Sequence, residues 1–149
     1  MEVLKEVILA YQSKGVRFDF VCCIYPTAPF VTSERIIQGF ELISKQQLES
    51  VFSIARFEYP VQRSLVRNES SELSYLYPEF TNTRSQDLTP TYHDAGQWYW
   101  IESNFLITTD KIKGMSIGVE LDSLEVQDID NPEDWHIAEF KYAYLQSIK

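Results

Sequence analysis

The sequence predicts an α/β protein built on a mixed, mostly parallel sheet. The first half of the chain alternates helical and strand-like patterns, in the order helix, strand, helix, strand, which is typical of sheets with right-handed helical crossovers. With 149 residues, of which 44% are hydrophobic and 14% aromatic, the chain can bury one substantial core. No internal repeat or linker is visible, so we expect a single domain over residues 1–149.

Periodicity and capping define the first elements. Residues 2–14 have one apolar face and predict a helix. Residues 18–25 form a short, nearly continuous apolar run, which predicts a central strand covered on both faces. A second helix is expected after a cap at Thr32 or Ser33, and residues 50–57 predict the next strand.

The second half is less regular. Short β-like pieces predict an antiparallel excursion from the main sheet over residues 58–92. Residues 98–107 indicate a strand or a buried helix, and residues 117–121 with 124–129 indicate a final strand region. The closing helix should begin at about Asn131, a favoured N-cap. It is expected to dock on the core through Trp135, Ala138, Tyr142 and Leu145.

Charge and composition exclude some classes of function. A net charge of −9 argues against a sequence-independent nucleic-acid binder, because phosphate backbones need a basic surface. No apolar stretch approaches the ~20 residues of a membrane span and no signal segment opens the chain, so the cytoplasm is the expected location and no membrane partner is expected. Adjacent Cys22 and Cys23 are interpreted as buried thiols.

Two carboxylates precede the closing helix. On an extended segment, Asp128 and Asp130 would point to the same face. Paired oxygen ligands with room for water and phosphate are what Mg²⁺ takes from proteins that use it on nucleotides. The alternative is that Asp130 only caps the helix and Asp128 only ends a strand.

Open α/β sheets bind ligands beyond the carboxyl ends of their strands, where three candidate loops fall, at residues 26–32, 56–67 and 128–131. In the first loop, Thr27 offers a hydroxyl within a rigid Pro-Thr-Ala-Pro turn, which could equally be a simple strand terminator. No glycine-rich phosphate loop is present.

Arginine is concentrated in one region. Between Gln46 and Asp110 there is no lysine, yet four of the six arginines lie there. The planar guanidinium binds carboxylates and phosphates through two hydrogen bonds, so this bias suggests an anion site. The alternative is pairing with nearby carboxylates. The four residues are Arg56, Arg63, Arg67 and Arg84.

The aromatic run over residues 92–100 offers a second kind of binding surface. Asp94 and Gln97, beside aromatic rings, could form a platform for a sugar. Alternation could equally send Trp98 and Trp100 into the core and leave Tyr99 facing the cleft.

These motifs, taken together and in order, resemble CMP-sialic acid synthetase-type cytidylyltransferases, the acylneuraminate cytidylyltransferase family, over nearly the whole chain. The motifs that carry the resemblance lie at residues 23–30, at 52–57 with 59–63, at 94–100, and at 126–130 with 133–135 and 138–139.

The resemblance implies a nucleotide-diphospho-sugar transferase-like (Rossmann-like) fold and a homodimer, with the excursion helping to form the partner's active site. It implies attack by a nine-carbon sugar acid (a nonulosonic acid) on CTP, giving a CMP-sugar and pyrophosphate. Asp128 and Asp130 would hold Mg²⁺, and Arg63 and Arg84 would bind the sugar carboxylate or the phosphates. The remaining substrate-binding residues expected are Thr27, Gln86, Asp94, Gln97 and Tyr99.

Two departures from the family pattern bear on this expectation. Tyr25 stands where sialic-acid enzymes of the family have glutamine, which favours pseudaminic acid as the sugar. The family opens with a strand and a Gly-rich, basic loop that grips CTP, whereas this chain begins at the helix over residues 2–14, so we expect it to be incomplete at its N-terminus and poorly active alone. A non-catalytic nucleotidyltransferase-like binding or assembly domain, or an Asp-x-Asp glycosyltransferase, are the alternatives.

Overall fold

The structure, a computed structural model, describes residues 2–109, 111 and 113–148. Its elements are α1 (Glu2–Ser13), β1 (Phe20–Ile24), α2 (Ser33–Gln46), β2 (Ser50–Arg56), β3 (Leu65–Arg67), β4 (Leu73–Tyr75), β5 (Tyr92–Glu102), α3 (Ser103–Thr109), β6 (Ser116–Leu121) and α4 (Pro132–Ser147). Short 3-10 turns lie at Val61–Arg63, Pro78–Phe80, Ser85–Asp87 and Ser123–Glu125. No helix within these ranges is both long enough and apolar enough to cross a bilayer.

Four strands form the main sheet, in the order β1-β5-β2-β6. β5 runs antiparallel to both β1 and β2, whereas β2 runs parallel to β6. The expected α/β class and mixed sheet are therefore confirmed. The expectation that the sheet is mostly parallel is wrong for the strand pairs, because β5 is inserted between two strands that point the same way.

β1 lies at an edge of this sheet, where the described structure pairs it with β5 alone. The prediction of a central strand is therefore wrong, and Ile24 at its end is 50% exposed. The predicted coverage of both faces is observed in part, since residues 20–23 are half-buried. The run is apolar because both of its faces still meet hydrophobic partners. Phe20 packs against one core, and Val21 and Cys23 pack against the other.

The two cores lie on opposite faces of β5, as strand alternation requires. Trp98 is fully buried in the core that includes Ile43 of α2, and Trp100 packs beside it. Tyr99 belongs to the other core, which includes residues of α1 and α3. A Cβ at Gly39 of α2 would lie 2.6 Å from the Trp98 ring, so the α2 backbone rests directly on the indole.

The segment after β6 differs from its prediction. Residues 126–129 have no strand pairing, and a 3-10 turn at Ser123–Glu125 replaces the expected second strand. The cause is local, because Asp122 caps this turn and its carboxylate accepts a hydrogen bond from Leu124 N at 2.9 Å. The region between β6 and α4 is therefore a loop.

The cap of α4 is confirmed, but its docking is only partial. The Asn131 side chain accepts hydrogen bonds from Glu133 N at 2.9 Å and Asp134 N at 3.1 Å. On the expected apolar stripe Ala138 is buried, whereas Trp135 and Tyr142 are each more than half exposed. The prediction that this whole stripe packs on the core is wrong.

The expected antiparallel excursion is present as a separate two-stranded ribbon. β3 pairs antiparallel with β4, and all six residues of the two strands are exposed. Several of these are apolar, including Leu65, Leu73 and Tyr75. The ribbon therefore presents apolar surface to its surroundings and does not pack into either core.

Candidate active site

A cavity of about 460 Å³ lies where β2 ends and β5 begins, beside the loop that follows β6. The residues that line it include Arg56, Glu58, His93, Asp94, Gln127, Asp128 and Lys141. This is the carboxyl end of the parallel pair β2 and β6, as the strand topology predicts for a ligand site. Two of the three expected loops meet here. The third does not, since its Pro29 lines other cavities against α4.

A second cavity of about 270 Å³ adjoins the first. The two share Arg56, Phe57 and Glu58, so they form neighbouring parts of one cleft. Gln86, one of the expected substrate-binding residues, lines this second part together with Thr89. Neither cavity is lined by Thr27, Arg63, Arg84 or Asp130.

Asp128 and Asp130 are both exposed, and only Asp128 lines the larger cavity. Asp128 Oδ1 accepts a hydrogen bond from Ile129 N at 3.1 Å, and Asp130 N donates to Asp134 Oδ2 at 3.0 Å. The helix cap therefore anchors the Asp130 backbone, while both carboxylates remain accessible to a ligand. Because the segment is a loop, strand alternation no longer supports a shared face for the two side chains.

The donor set fits magnesium in one specific way. Within the described residues, no group of three or more His, Cys, Asp or Glu side chains is placed to hold a metal. Magnesium usually keeps several waters and is bound by one or two carboxylates together with substrate phosphates. Asp128, which lines the larger cavity, offers a carboxylate of the kind that can share a magnesium ion with a phosphorylated ligand, whereas Asp130 lines neither cavity. The donor set does not fit a site closed by protein alone.

Lys141 fixes the loop that carries Asp128. Its Nζ donates to Val126 O at 2.7 Å and to Ser123 O at 3.1 Å. Burial lowers the Lys141 pKa, and the nearby Glu58 carboxylate partly opposes this shift. The sequence places Lys141 off the apolar stripe of α4 and gives no sign of this role, because the hydrogen-bonding carbonyls belong to a loop 15 residues or more away.

The turn before this loop is held from two sides. The Gln97 amide donates to Glu125 O, and Arg35 Nη2 of α2 lies 2.6 Å from Glu125 Oε2. Gln97 is only 2% exposed, and its own carbonyl accepts from Tyr25 N at 2.9 Å. The expected ligand-binding amide is therefore engaged within the protein, where it positions the segment that leads to Asp128.

The motif Asp94–Gln97 forms a bulge in β5. Phe52 of β2 pairs with Tyr99 while Ile54 pairs with Asp94, so β5 carries extra residues at this point. Gly96 occupies the left-handed region with φ +65°, which glycine adopts without strain. Its N–H donates to Asp94 Oδ1 at 2.9 Å, which closes the bulge.

The Asp94 carboxylate receives two further donors, both from side chains. Tyr99 OH donates to Oδ1 at 2.8 Å, and Lys113 Nζ lies 2.5 Å from Oδ2. Burial acts to raise the Asp94 pKa, but the donors from Lys113, Gly96 and Tyr99 together hold it below its ordinary value. Burial and the Asp94 carboxylate raise the Tyr99 pKa. Asp94 is thus an ionised carboxylate whose acceptor capacity is largely used by the protein.

Tyr99 does not face the cleft. Its ring is 4% exposed and stacks on Phe52 with centroids 5.9 Å apart. The alternation prediction is right for Trp98, which is buried, and for Trp100, which is partly buried against the same core. It misplaces Tyr99, because the second face of the sheet is also covered, by α1 and α3.

The four arginines between Gln46 and Asp110 have different surroundings. Arg63 donates to Thr83 O, and Arg67 Nη2 donates to Ser71 Oγ at 2.5 Å. Arg84 precedes the 3-10 turn at Ser85–Asp87. Across residues 2–109, 111 and 113–148, none of the four lies within ion-pair distance of a carboxylate, so the predicted alternative of local pairing is not observed.

The cysteines offer no nucleophile. Both are free, and burial followed by the neighbouring Cys23 raises the pKa of Cys22 to about 12. Burial also raises the Cys23 pKa. Neither thiol would ionise near neutral pH. Both residues are only partly buried, so the prediction of buried thiols is confirmed only in part.

Comparison with known proteins identifies relatives of this chain. No protein-family model matches it. It is 34% identical over 146 residues to the pseudaminic acid cytidylyltransferase of Campylobacter jejuni serotype O:2, and 33% identical over 145 residues to that of serotype O:23/36. These matches cover 94% and 93% of this chain but 61% and 60% of the relatives, so the chain spans about three fifths of their length.

A third relative has two activities in its name. The Helicobacter pylori pseudaminic acid cytidylyltransferase and UDP-2,4-diacetamido-2,4,6-trideoxy-beta-L-altropyranose hydrolase is 31% identical over 127 residues, which is 82% of this chain and 24% of that protein. All three relatives share the cytidylyltransferase name, and each match covers most of this chain. Most of this chain is therefore homologous to a part, about three fifths, of the two Campylobacter pseudaminic acid cytidylyltransferases.

Proposed function

We propose that the protein takes part in cytidylyl transfer from CTP to a nonulosonic acid, with pseudaminic acid as the favoured sugar. The sugar's anomeric oxygen would form a bond to the α-phosphorus of CTP, the bond between the α-phosphorus and the bridging oxygen would break, and pyrophosphate would leave. The hydroxyl proton would pass to solvent. The observation that carries the proposal is the accessible Asp128 carboxylate in a cleft at the carboxyl ends of β2 and β6.

Asp128 and Asp130 are proposed to hold Mg²⁺. Bound magnesium would offset the charge of the phosphates and acidify the attacking hydroxyl. The chain's own residues would then have distinct roles. Gln86 would contact the sugar or the nucleotide, whereas Asp94 and Gln97 would set the shape of the cleft through the bulge and the turn that they hold.

A homodimer is part of this proposal. Arg63 and Arg84 lie on the excursion and line neither cavity of their own chain. The excursion also carries the exposed apolar ribbon β3–β4. Apolar surface of this kind often marks a protein interface, and a second copy would allow the two arginines to reach the partner's cleft. Thr27 is exposed in the turn after β1, and we propose that it contacts the sugar.

The test is the release of pyrophosphate from CTP with Mg²⁺ and pseudaminic acid, together with calorimetric binding of each substrate. A double variant, Asp128→Asn with Asp130→Asn, should lose CMP-sugar formation. Asp19→Asn is the matched control, because Asp19 lies just before β1 and at the opposite end of the sheet.

Each other outcome has a distinct meaning. Binding of CTP and the sugar without turnover would identify a binding domain. Sugar transfer from a UDP- or GDP-sugar would identify a glycosyltransferase. A protein that binds neither CTP nor the sugar would overturn the proposed function.

A further inference from the structure

Arg56 lies where the two parts of the cleft meet. It is the last residue of β2 and pairs in register with Tyr92, the first residue of β5. It is exposed, and it lines both the 460 Å³ cavity and the 270 Å³ cavity. A ligand held by Arg56 could therefore extend into either part of the cleft.

The guanidinium of Arg56 is available to a ligand. Arg35 is neutralised by Glu125 at 2.6 Å, whereas Arg56 is in no such ion pair within the described residues. The other cationic group of the larger cavity, Lys141, already donates to two carbonyl oxygens. His93 Nδ1 is 2.9 Å from Asp94 O. Arg56 is therefore a cationic donor of the cleft that has no ion-pair partner among the described residues.

The surrounding charges restrict which anion would bind. Glu58 and Asp128 line the same cavity as Arg56, and a bare anion would meet their repulsion. Asp94 repels less, because its charge is paired with Lys113. An anion that arrives with a cation bound at Asp128 would meet positive charge on both sides. Phosphoryl and carboxylate groups both match the two parallel N–H donors of a guanidinium.

We infer that Arg56 is an oxyanion-binding residue of the cleft, in the same cavity as Asp128. This inference rests on the proposed function for the identity of the ligand, which is either a phosphoryl group of the nucleotide or the carboxylate of the sugar acid. It does not rest on that function for the existence of the anion site. Arg56 differs in this respect from Arg63 and Arg84, whose proposed roles depend on a second subunit.

Calorimetry with three ligands tests the inference: pyrophosphate with Mg²⁺, CTP with Mg²⁺, and pseudaminic acid. Arg56→Ala should weaken binding by about 10- to 100-fold, the usual loss for a hydrogen bond to a charged group. Weaker pyrophosphate and CTP binding would assign Arg56 to phosphate, and weaker sugar binding alone would assign it to the carboxylate. Arg56→Lys should restore part of the phosphate binding but less of the carboxylate binding, which uses both arms of the guanidinium.

Arg17→Ala is the matched control. Arg17 is exposed and precedes β1, so it lies at the opposite end of the sheet from Arg56, and its removal should leave all three affinities unchanged. Circular dichroism would confirm that both variants fold. Equal affinities of Arg56→Ala and the unmodified protein for all three ligands, or no binding of any of the three by the unmodified protein, would overturn the inference. Pyrophosphate binding that depends on Arg56, in a protein that does not bind CTP, would keep the inference and reject the proposed function.

Discussion

The segments Asp94–Gln97 and Asp128–Asp130 both border the cleft, but they use their polar groups in opposite ways. The Asp94 carboxylate receives three donors from the protein, and the Gln97 amide is buried against a backbone carbonyl. Asp128 and Asp130 are anchored through the backbone, and their carboxylates are exposed. The comparison indicates that the first segment builds the cleft and the second is free to bind. Changes in the first should therefore alter stability, and changes in the second should alter activity.

The largest expected effect is on turnover at Asp128. Asp128→Asn should reduce CMP-sugar formation on the order of 10³-fold, because a bound metal ion contributes several kcal/mol of transition-state stabilisation. The free energy of unfolding should change by less than ~0.5 kcal/mol, as for other exposed side chains. Steady-state kinetics and urea denaturation measure the two quantities. A large loss of stability would show that Asp128 is structural and would remove the contrast between the segments Asp94–Gln97 and Asp128–Asp130.

Asp94→Ala should produce the reverse pattern in stability. The substitution leaves Gly96 N–H, Tyr99 OH and Lys113 without their acceptor, which should cost roughly 1–3 kcal/mol in the free energy of unfolding. The same urea denaturation applies, with Asp128→Ala as the matched control. An unchanged unfolding free energy for Asp94→Ala would mean that its three donors find other partners, and Asp94 would then be a candidate for direct ligand contact.

Gly96→Ala tests the role of the bulge in β5 through the backbone conformation alone. The added methyl group meets no atom within 4 Å, so the cost of about 1–2 kcal/mol comes from the positive φ. Gly15 also has a positive φ and open space around it, but it follows α1. Gly15→Ala should lose similar stability and keep full substrate affinity, whereas Gly96→Ala should also weaken substrate binding. Equal affinities in the two variants would argue against a role for the bulge in shaping the cleft.

The smallest effect concerns the ion pair between Lys113 and Asp94. Both side chains are partly exposed, so Lys113→Met should cost no more than ~1 kcal/mol at neutral pH. The folded-state pKa of Asp94 lies below its ordinary value of 3.8, so its contribution is present above that pH and is lost as the pH falls through the folded-state pKa. The unfolding free energies of the unmodified protein and Lys113→Met, measured as the pH is lowered, should therefore converge in this low range. If the two curves of unfolding free energy against pH stay parallel, Asp94 is not the group through which Lys113 stabilises the protein.

Local rules predicted the elements whose causes are local. The α4 cap at Asn131 follows from neighbouring residues, and the structure has it. The insertion of β5 beside β1 is a pairing between distant parts of the chain, which residue periodicity does not report. Lys141 was missed for the same reason, since its partners are carbonyl oxygens of a loop. Tyr99 was misplaced because a covered second face cannot be seen from alternation in one strand.

The predicted site residues also divide into those whose placement has a local cause and those whose surroundings depend on distant parts of the chain. The segment with Asp128 and Asp130 is accessible, and the helix cap that follows from its sequence fixes where it ends. The segment Asp94–Gln97 borders the cleft, but its side chains bond to other parts of the protein. Arg56 could be singled out only from the structure, because four arginines share one stretch of sequence and only their surroundings differ.

The turn Ser123–Glu125 is held by two separate elements, β5 and α2. Gln97 of β5 holds the main chain of Glu125, and Arg35 of α2 holds its carboxylate. The path to Asp128 is thus set in part by a helix that need not touch any substrate. In evolutionary terms this makes Arg35 and Glu125 an epistatic pair, because the replacement tolerated at one position depends on the residue at the other. We therefore expect the two positions to change together among related proteins.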